Sequence, residues 1–506
     1  MIKKIGFDNE RYLKEQSTAI LERINRFKGG RLYLEFGGKL LYDYHAARVL
    51  PGYDPNIKIK LLKNLKDKID IILCIYAGDI EKGRIRGDFG ITYDADALKL
   101  IDDLRENDLD IVAVVITRFN KQLQAINFKN KLENRDIKVY LHSATKGYPT
   151  DVDLIVSEEG YGRNSYIKTQ NPIVIVTGPG PGSGKLATCL SQLHHDYKKG
   201  IKSVYAKFET FPIWNLALKH PVNIAYEAAT ADISDFNLID PFHLSAYNQS
   251  TVNYNRDVEI FPVVKRILEK IMKDELPYQS PTDMGVNRAG FAIVDDEAVK
   301  EAAKQEIIRR YFRYNYESIL GIEKRETVER VKLLMKELDL KLEDRLVVEP
   351  ARRASSEERS KAKTHPAISC GAAMNLSDGT IVTGKNSTLM SASSSLVLNA
   401  IKQLAEIPDK IHLLSPKIIE NISNLKKDIL DLKQETLDLE EALIALSMSS
   451  ATNPTAELAM EKLKELAACE VHLTHIPTPG DEVGLRRLKV NLTTDGNFPS
   501  RDLFIA

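Results

Sequence analysis

The chain has 506 residues, 43% of them hydrophobic, and it balances 71 Lys plus Arg against 71 Asp plus Glu. This length allows about three domains with ordinary hydrophobic cores. A net charge of zero provides no global field to recruit nucleic acid or an anionic membrane, so we expect neither as a partner.

Cysteine spacing and the first residues indicate the cellular compartment. Cys74, Cys189, Cys370 and Cys469 are far apart and form no C-x-x-C pair, which argues against a disulfide framework and a zinc ribbon. The start, MIKKIGFDNERYLKEQ, is charged where a signal peptide needs an apolar core, and no stretch approaches about 18 uninterrupted apolar residues. We expect a cytoplasmic protein without a membrane span.

Short apolar runs rich in β-branched residues recur over the first 290 residues, with helical stretches between them. They are RLYLEF at 31, IDIILCIYA at 69, DIVAVVI at 110, IKVYLH at 137, DLIVS at 153, PIVIVT at 172 and KSVYAKF at 202. This alternation predicts a doubly wound α/β fold with a mostly parallel sheet. We divide it into a Rossmann-like domain, 1–165, and a P-loop-like α/β portion, 166–290.

Ligands of doubly wound sheets bind beyond the carboxyl ends of the strands, where this sequence has polar turns. Two of these turns, AGDIEKGRIRGDFG from 77 and TRFNKQ from 117, contain basic side chains. Arg84, Arg86 and Arg118 are therefore candidate substrate-binding residues, although each would also suit a solvated loop.

The third turn, GPGPGSGKLAT from 178, directly follows the run IVIV. Glycines let successive backbone N–H groups approach one anion, the next helix adds its positive dipole end, and a lysine reaches the outer phosphates. We call residues 178–185 the glycine loop. The candidate cofactor-binding residues are Gly178, Gly180, Gly182, Ser183, Gly184, Lys185 and Thr188.

The glycine loop departs from the Walker pattern G-x-x-x-x-G-K-[ST] at two positions. Pro179 stands where the first glycine belongs, and Leu186 replaces the hydroxyl residue that holds Mg²⁺. Thr188, one helical turn beyond Lys185, would reach an anion or metal only by a different geometry. The alternative is a Gly-Pro-rich turn between a strand and a helix that binds nothing.

From 214 to 287 the sequence becomes rich in Asn, Asp, Tyr and Pro. A long, weakly periodic segment of this kind indicates either an extended surface rich in polar side chains or the wall of a polar site. The candidate substrate-binding residues here are Glu227, Asp232, Asn255, Arg256 and Asp257.

Helical periodicity over 291–350 predicts a helical connector. Its start, FAIVDDE, has the form in which an aspartate holds Mg²⁺ beside a P-loop, but Asp295 or Asp296 also suits an ordinary helix N-cap. The polar stretch ARRASSEERSKAK from 351 suits a linker, and we place the start of the last domain, 351–506, there.

The segment 364–405 predicts a strand (AISCGAAM), a tight turn (SDG), a strand (TIVTGKN) and a helix opened by serines. This order resembles the start of the cytidine-deaminase-like α/β fold. Zinc deaminases carry a His or Cys ligand with a Glu at that helix start, and a later P-C-x-x-C. Here Ser391-Ala392-Ser393 stands at the helix start and no C-x-x-C exists. We therefore expect no zinc and assign no metal ligands.

The polar turn before that helix suits a phosphate or carboxylate, with a serine-capped helix as the alternative. Lys385, Asn386 and Ser391 are candidate ligand contacts, as is His475 in VHLTHIPTPGDE. On a strand, His472 and His475 would face opposite sides, which argues against a shared metal. The apolar helices of 418–450 form a helical insert and predict an oligomer surface, so we expect a homo-oligomer.

Short sequence segments along the whole chain are similar to those of a bacterial family, domain-of-unknown-function family 1846 of the UPF0371 type. They are VTGPGPGSGK, KHPVNIAYEAATAD, NYNRDVE, SPTDMGVN, DGTIVTGKNS and VHLTHIPTPGDE. The resemblance implies a P-loop-like or Rossmann-like front portion and a deaminase-like last domain, and it brings no established activity. Some relatives are labelled ATP-dependent peptidases, but this sequence has no H-E-x-x-H and no distinguishable Ser-His or Cys-His arrangement.

We hypothesise an enzyme that binds a nucleotide or another phosphorylated small molecule for phosphoryl or group transfer. Backbone amides and a lysine stabilise phosphate charge without a special nucleophile, so no catalytic residue is assigned. The cofactor candidates are ATP or another nucleotide with Mg²⁺. A non-catalytic ligand-binding or scaffold protein, in which the glycine loop is merely structural, is the alternative.

Overall fold

The computed structural model describes residues 4–25, 30–86, 90–273, 276, 278–361, 369–432 and 436–500. The chain divides into two compact units. The first unit comprises Lys4–Thr230 and Asp235–Ala303, and the second comprises Ala231–Ser234 and Lys304–Ala506.

The first unit is built around a parallel sheet. Its strands are β1 (Arg31–Phe36), β2 (Ile69–Tyr76), β3 (Ile85–Arg86), β4 (Ile91–Thr92), β5 (Ile111–Thr117), β6 (Val139–Leu141), β7 (Ile173–Thr177), β8 (Ser203–Phe208), β9 (Asn237–Ile239) and β10 (Val252–Tyr254). Six of the described strands pair in parallel in the order β6-β5-β2-β7-β1-β8, and the pairs β3–β4 and β9–β10 are antiparallel. The predicted α/β class with a parallel sheet is confirmed.

Helices connect these strands. They are α1 (Asn9–Asn25), α2 (Tyr44–Val49), α3 (Ile57–Asn64), α4 (Ala77–Glu81), α5 (Tyr93–Glu106), α6 (Leu123–Glu133), α7 (Val152–Ile155), α8 (Lys185–Lys198), α9 (Pro221–Ala229), α10 (Pro241–Tyr247), α11 (Asn255–Met272), α12 (Pro281–Met284) and α13 (Asp296–Ile319), the last of which contains the boundary between the units. Every residue of β7 is buried, as in a parallel sheet covered on both faces.

Chain connections reverse direction between β2 and β7. After β2 the chain proceeds to β5 and β6 on one side, whereas after β7 it crosses β1 to reach β8 on the other. In open parallel sheets such a reversal leaves a crevice beyond the carboxyl ends of the two strands, and ligands bind there. The glycine loop begins directly after β7 and therefore lies at this crevice.

The second unit contains a mixed sheet. Its strands are β11 (Gly371–Asn375), β12 (Ile381–Lys385), β13 (Glu470–Leu473) and β14 (Asn491–Thr494), in the order β12-β11-β13-β14. β11 is antiparallel to both of its neighbours, and β13 and β14 are parallel. The helices that follow α13 are α14 (Arg325–Glu337), α15 (Val348–Lys361), α16 (Ala392–Leu404), α17 (Pro416–Asn424), α18 (Leu439–Ser450), α19 (Pro454–Glu461) and α20 (Pro479–Arg487).

The predicted strand, turn, strand and helix over 364–405 are confirmed by β11, β12 and α16, within the part of that segment that the structure describes. A shared core of Met374, Leu396, Ile401, Leu446 and Val471 packs the helices on the sheet.

Two local predictions are wrong. The run DLIVS at 153 begins in helix α7 and continues into a turn, because the Asp151 side chain accepts a hydrogen bond from the Leu154 amide at 2.9 Å and caps a helical turn. Short apolar runs fit either element, and the cap decides here. The predicted linker from 351 is helical up to residue 361, because these residues continue α15, which packs against β11. Residues 362 and 363 of the predicted linker lie outside the described residues.

Candidate functional site

The glycine loop has an alternating backbone. Gly182 and Gly184 have φ of +71° and +90°, while Pro181 and Ser183 have negative φ. Alternation of this kind turns successive N–H groups toward one side and forms an anion-binding concavity. Gly184 is also the N-cap of α8 and makes no side-chain cap bond. Within the described chain, the amides of Gly182, Gly184 and Lys185 have no hydrogen-bond acceptor.

Close packing explains two of the loop glycines. A Cβ atom on Gly184 would lie 2.7 Å from three side-chain atoms of Thr117, and one on Gly178 would overlap the Cys74 carbonyl oxygen. Thr117 also holds the loop, because its hydroxyl donates to the Ser183 carbonyl oxygen at 2.7 Å. The neighbouring strands β2 and β5 therefore fix the loop.

Lys185 is the charged residue of the loop. Its side chain is buried, with the residue 9% exposed, and Nζ lies 3.3 Å from the Gly180 carbonyl oxygen and 3.4 Å from the Ser183 hydroxyl. Both partners are neutral and distant, and no carboxylate of the described residues lies within 4 Å of the ammonium. A buried charge without an opposite charge is costly, so this position favours an anion.

Two of the predicted arginines stand at the rim of the loop. Arg118 donates to the Gly182 carbonyl oxygen and lies 3.5 Å from the centre of the Tyr76 ring. Arg84 lies 5.5 Å from the centre of the Tyr93 ring, which a Cβ atom on Gly180 would contact. The backbone of Arg86 belongs to β3, and its side chain is outside the described residues.

The hydroxyl groups near Lys185 are engaged with the loop itself. Thr188 is buried, and its hydroxyl donates to the Gly184 carbonyl oxygen at 3.0 Å. Ser183 is also buried and faces the Lys185 ammonium. In this geometry Thr188 stabilises the first turn of α8, and its predicted contact with a ligand stays a prediction.

A second group of polar side chains, which sequence reasoning largely missed, lies at the carboxyl ends of β1 and β8. It consists of Glu35, Lys207, Glu209, Tyr254 and Asp257, and we call it the Glu209 cluster. Lys207 is directly opposite Glu35 in the strand register. Its Nζ lies 2.7 Å from both carboxylate oxygens of Asp257 and 2.9 Å from Glu209.

Hydrogen bonds complete the Glu209 cluster. The Tyr254 hydroxyl donates to Glu209 at 3.1 Å and also accepts from Lys207. The Tyr205 hydroxyl donates to Glu35 at 2.8 Å. Burial raises the pKa of Glu209 from its ordinary 4.5 to about 7; the Lys207 ammonium opposes this rise, and the Asp257 and Glu35 carboxylates add to it. A carboxyl group that ionises near neutral pH beside a ligand crevice is a candidate acid or base.

Of the residues predicted in the polar segment, Asp257 belongs to the Glu209 cluster. Arg256 forms a two-pronged ion pair with Asp235, at 2.5 and 2.7 Å. Asn255 accepts from the Phe236 amide at 3.0 Å, and Glu227 accepts from the Asn237 amide at 3.0 Å. Asp232 lies in the second unit, where it accepts from the Tyr314 hydroxyl at 3.2 Å. These contacts hold the local fold.

In the second unit, the helix that Ser391 caps meets a carboxylate from the same chain. Asp481 is fully buried, and its Oδ1 accepts from the Ser391 hydroxyl at 2.8 Å and from the Leu439 amide at 2.9 Å. Ser391 caps α16, Leu439 opens α18, and Asp481 itself stands in the first turn of α20. Burial raises the pKa of Asp481 to about 6. Three helix N-termini therefore surround one internal carboxylate.

The other candidates of the second unit lie near this point in the sequence. Asn386 accepts from the Cys370 amide at 2.8 Å, and Lys385 is exposed at the end of β12. His475 is buried, its Nδ1 has no hydrogen-bond partner in the described chain, and burial lowers its pKa to about 4. A neutral, buried imidazole can accept a hydrogen bond from a ligand.

The described residues offer neither a metal-binding cluster nor a membrane-spanning helix. They contain no group of three or more His, Cys, Asp or Glu side chains arranged to hold a metal ion. None of the helices in that part of the chain is both long and apolar enough to span a bilayer. All four cysteines are buried, and none of them forms a disulfide.

Comparison with known proteins gives matches along nearly the whole chain. The N-terminal part of domain of unknown function DUF1846 matches residues 5–339, and its C-terminal part matches residues 343–504. A UPF0371 protein of Clostridium botulinum (strain Alaska E43 / Type E3) is 59% identical over 501 residues, which is 99% of both chains. A UPF0371 protein of Clostridium tetani (strain Massachusetts / E88) is 57% identical over 504 residues, again 99% of both chains. The chain therefore belongs to the DUF1846 family, whose curated relatives carry the name UPF0371.

Proposed function

We propose that the first unit binds a nucleotide or another phosphorylated small molecule in the glycine loop and uses it in phosphoryl or group transfer. One observation carries the proposal: the buried Lys185 ammonium has no carboxylate partner among the described residues, and it stands beside backbone amides without acceptors. A phosphate would satisfy both. The crevice between β2 and β7 supports the same location.

ATP or another nucleotide with Mg²⁺ is the proposed cofactor. Because Leu186 follows Lys185 and the Thr188 hydroxyl donates to the Gly184 carbonyl oxygen, a magnesium ion would be held mainly by phosphate oxygens of the ligand and by water rather than by these side chains. Arg84 and Arg118 at the rim would contact the outer phosphates.

For the second unit we propose a cytidine-deaminase-like architecture without zinc. Two observations support it: β11 is antiparallel to both of its neighbours, and the starts of α16 and α20 meet at the Ser391–Asp481 hydrogen bond. In zinc deaminases the metal ligands come from two such segments. Elemental analysis of the purified protein should find less than one zinc per chain, and stoichiometric zinc would contradict the proposal.

A homo-oligomer in the cytoplasm is proposed from the helical insert. Ile429, Leu430, Ile444 and Met448 are exposed apolar side chains within it. Several exposed apolar side chains on neighbouring segments of the helical insert favour a protein–protein interface. Light scattering at micromolar concentration should give a multiple of 56.9 kDa, and a monomer mass would contradict this.

The main test compares Lys185→Ala with the wild type in calorimetric titrations with pyrophosphate, ADP and ATP. We expect a loss of affinity of about 10- to 100-fold, the range for removing a hydrogen bond to a charged group, with nearly unchanged thermal stability. Lys202→Ala is the matched control, because Lys202 is exposed just before β8, at the opposite end of the sheet.

The scaffold alternative predicts the opposite pattern. In that case the wild type binds none of the three probes, and Lys185→Ala changes the melting temperature instead. Equal affinities in the wild type and the variant would also remove the proposal, because Lys185 would then have no part in holding the ligand.

A further inference from the structure

The Glu209 cluster and the glycine loop lie at the same edge of one sheet. Glu209 directly follows β8, and the glycine loop directly follows β7. β1 is the one strand between them, so neighbouring-strand spacing separates the two by about 10 Å. A Cβ atom on Gly37, just after β1, would lie 2.7 Å from Glu209 Cγ. Glycine at this position leaves room for the carboxyl group.

The charges of the cluster do not balance. One ammonium, Lys207, faces the three carboxyl groups of Glu35, Glu209 and Asp257. The Lys207 ammonium donates to both carboxylate oxygens of Asp257, and the Tyr205 hydroxyl donates to Glu35. Glu209 therefore shares the one ammonium with Asp257, and burial together with the neighbouring carboxylates raises its pKa despite that contact.

Glu209 is also the most accessible carboxyl group of the cluster. Its side chain is 21% exposed, against 14% for Asp257, and the Glu35 residue is 8% exposed. A proton carrier needs contact with both ligand and solvent, and Glu209 combines this exposure with a fixed position. The Tyr254 hydroxyl and Lys207 restrain its carboxylate oxygens.

We infer that Glu209 is the proton acceptor of this site, and that it acts on a hydroxyl group of the ligand whose phosphate the glycine loop holds. The inference rests on the proposed function. As the ligand hydroxyl oxygen bonds to phosphorus, its O–H bond breaks and the proton forms an O–H bond on Glu209. The bond from phosphorus to the leaving oxygen breaks with its electron pair kept on that oxygen, and water later removes the proton from Glu209.

The separation of the two groups fits this step. A hydrogen bond from a loop amide to phosphate, a near-attack distance from that phosphate to a hydroxyl oxygen, and a hydrogen bond from the hydroxyl to a carboxylate together span about 9 Å. This length agrees with the strand spacing between the loop and Glu209. The geometry therefore points to a ligand in which a hydroxyl stands next to a phosphoryl group.

The proton of Glu209 should be linked to anion binding. The groups that face it are Lys207 from β8, Glu35 from β1, Tyr254 from β10, Asp257 from α11 and Tyr226 from α9. Phosphate bound in the loop adds negative charge about 10 Å away, which stabilises the neutral form of Glu209. Binding should therefore draw a fraction of a proton from solvent, and the Glu209 molecules that stay ionised in the complex are the ones able to accept the hydroxyl proton.

Calorimetric titration with pyrophosphate at pH 7, in two buffers of different ionisation enthalpy, measures that proton. Glu209 is about half ionised at this pH, so the wild type should take up at most about half a proton more per pyrophosphate than Glu209→Gln. The protons of pyrophosphate itself cancel in this difference. Glu259→Gln is the matched control, because Glu259 is exposed on α11 and should keep the uptake of the wild type.

Tyr254→Phe provides a second variant that keeps Glu209. It removes the hydroxyl that donates to the Glu209 carboxylate, which raises the pKa of Glu209 and should move the maximum of proton uptake to higher pH. This variant decides the inference if Glu209→Gln fails to fold.

The outcomes separate the two proposals. If the wild type binds no pyrophosphate, the proposed function fails and the inference fails with it. If it binds pyrophosphate with equal proton uptake in the wild type and Glu209→Gln, the inference is overturned and the binding proposal stands. An unchanged pH maximum in Tyr254→Phe would also overturn the inference.

Discussion

Two helix N-termini of this protein look alike in sequence and differ in what surrounds them. The first, at α8, follows the glycine loop, and the second, at α16, follows a polar turn and is capped by Ser391. At α8 the described chain supplies no acceptor for the loop amides and no carboxylate for Lys185. At α16 it supplies Asp481. The same local composition can thus mark a place for an external anion or for one of the chain's own.

This difference between the two helix N-termini predicts which substitutions should change stability and which should change ligand affinity. Where a carboxylate of the chain occupies the helix start, its removal should cost folding free energy. Where the anion must come from outside, changes should act mainly on ligand affinity.

Asp481→Ala should lower the free energy of unfolding by about 3 kcal/mol. It leaves the Leu439 amide buried without an acceptor and removes the carboxylate partner of the Ser391 hydroxyl, whose other partner is Ser394 Oγ at 2.9 Å. Chemical denaturation checks this, with Glu457→Ala, an exposed position on α19, as the control. Pyrophosphate affinity should stay unchanged. A variant as stable as the wild type would show that Asp481 does not support the three helix starts.

Gly184→Ala and Gly182→Ala form a matched pair within the loop. Both residues have positive φ, but a Cβ atom on Gly184 meets Thr117 at 2.7 Å, whereas one on Gly182 has its nearest contact at 3.9 Å. Gly184→Ala should cost about 2 to 3 kcal/mol and abolish pyrophosphate binding, and Gly182→Ala about 1 kcal/mol. Melting curves and calorimetry test both variants. Equal losses of stability in the two variants would mean that the Thr117 side chain moves aside without a cost in free energy.

Glu209 should make stability depend on pH. Its pKa is raised in the folded protein, so its stabilising contribution is present below the ordinary pKa of 4.5 and is lost as the pH rises through about 7. Between pH 5 and pH 8 the wild type should lose on the order of 2 kcal/mol relative to Glu209→Gln. Urea denaturation of both proteins across this range measures the difference. Parallel pH profiles would contradict the raised pKa.

Ser391→Ala should have the smallest effect, about 1 kcal/mol, the typical cost of a lost N-cap. The Leu439 amide still binds Asp481, so the carboxylate keeps one donor. Phosphate affinity should not change. If calorimetry instead showed weaker binding of any probe, the polar turn before α16 would be a ligand site after all.

Much of the first unit could be predicted from its sequence, because buried parallel strands need unbroken apolar runs. The runs at 31, 69, 110, 137, 172 and 202 all contain strands. The glycine loop was found for a local reason too, since the glycines, the lysine and the helix are neighbours in the chain. Arg84 and Arg118 could be placed near it because turns after parallel strands share one edge of the sheet.

The Glu209 cluster could not be predicted as a group, because its members are distant in sequence. Glu35 and Lys207 meet only through the pairing of β1 with β8. A signal did exist, since each is a charged residue inside an otherwise apolar strand run, RLYLEF or KSVYAKF. Asp481 was missed as the partner of Ser391 for the same reason, because 90 residues separate them.

The position of β7 has a consequence for how the chain folds during synthesis. β1 and β2 are made first, but the strand that lies between them begins only at Ile173. Until then each of these two strands has an unpaired edge. Parallel pairing between strands so far apart in the sequence forms slowly. A growing chain that stops before Ile173 thus presents exposed strand edges to other chains or to chaperones. The strand that precedes the glycine loop is also the one that joins β1 to β2.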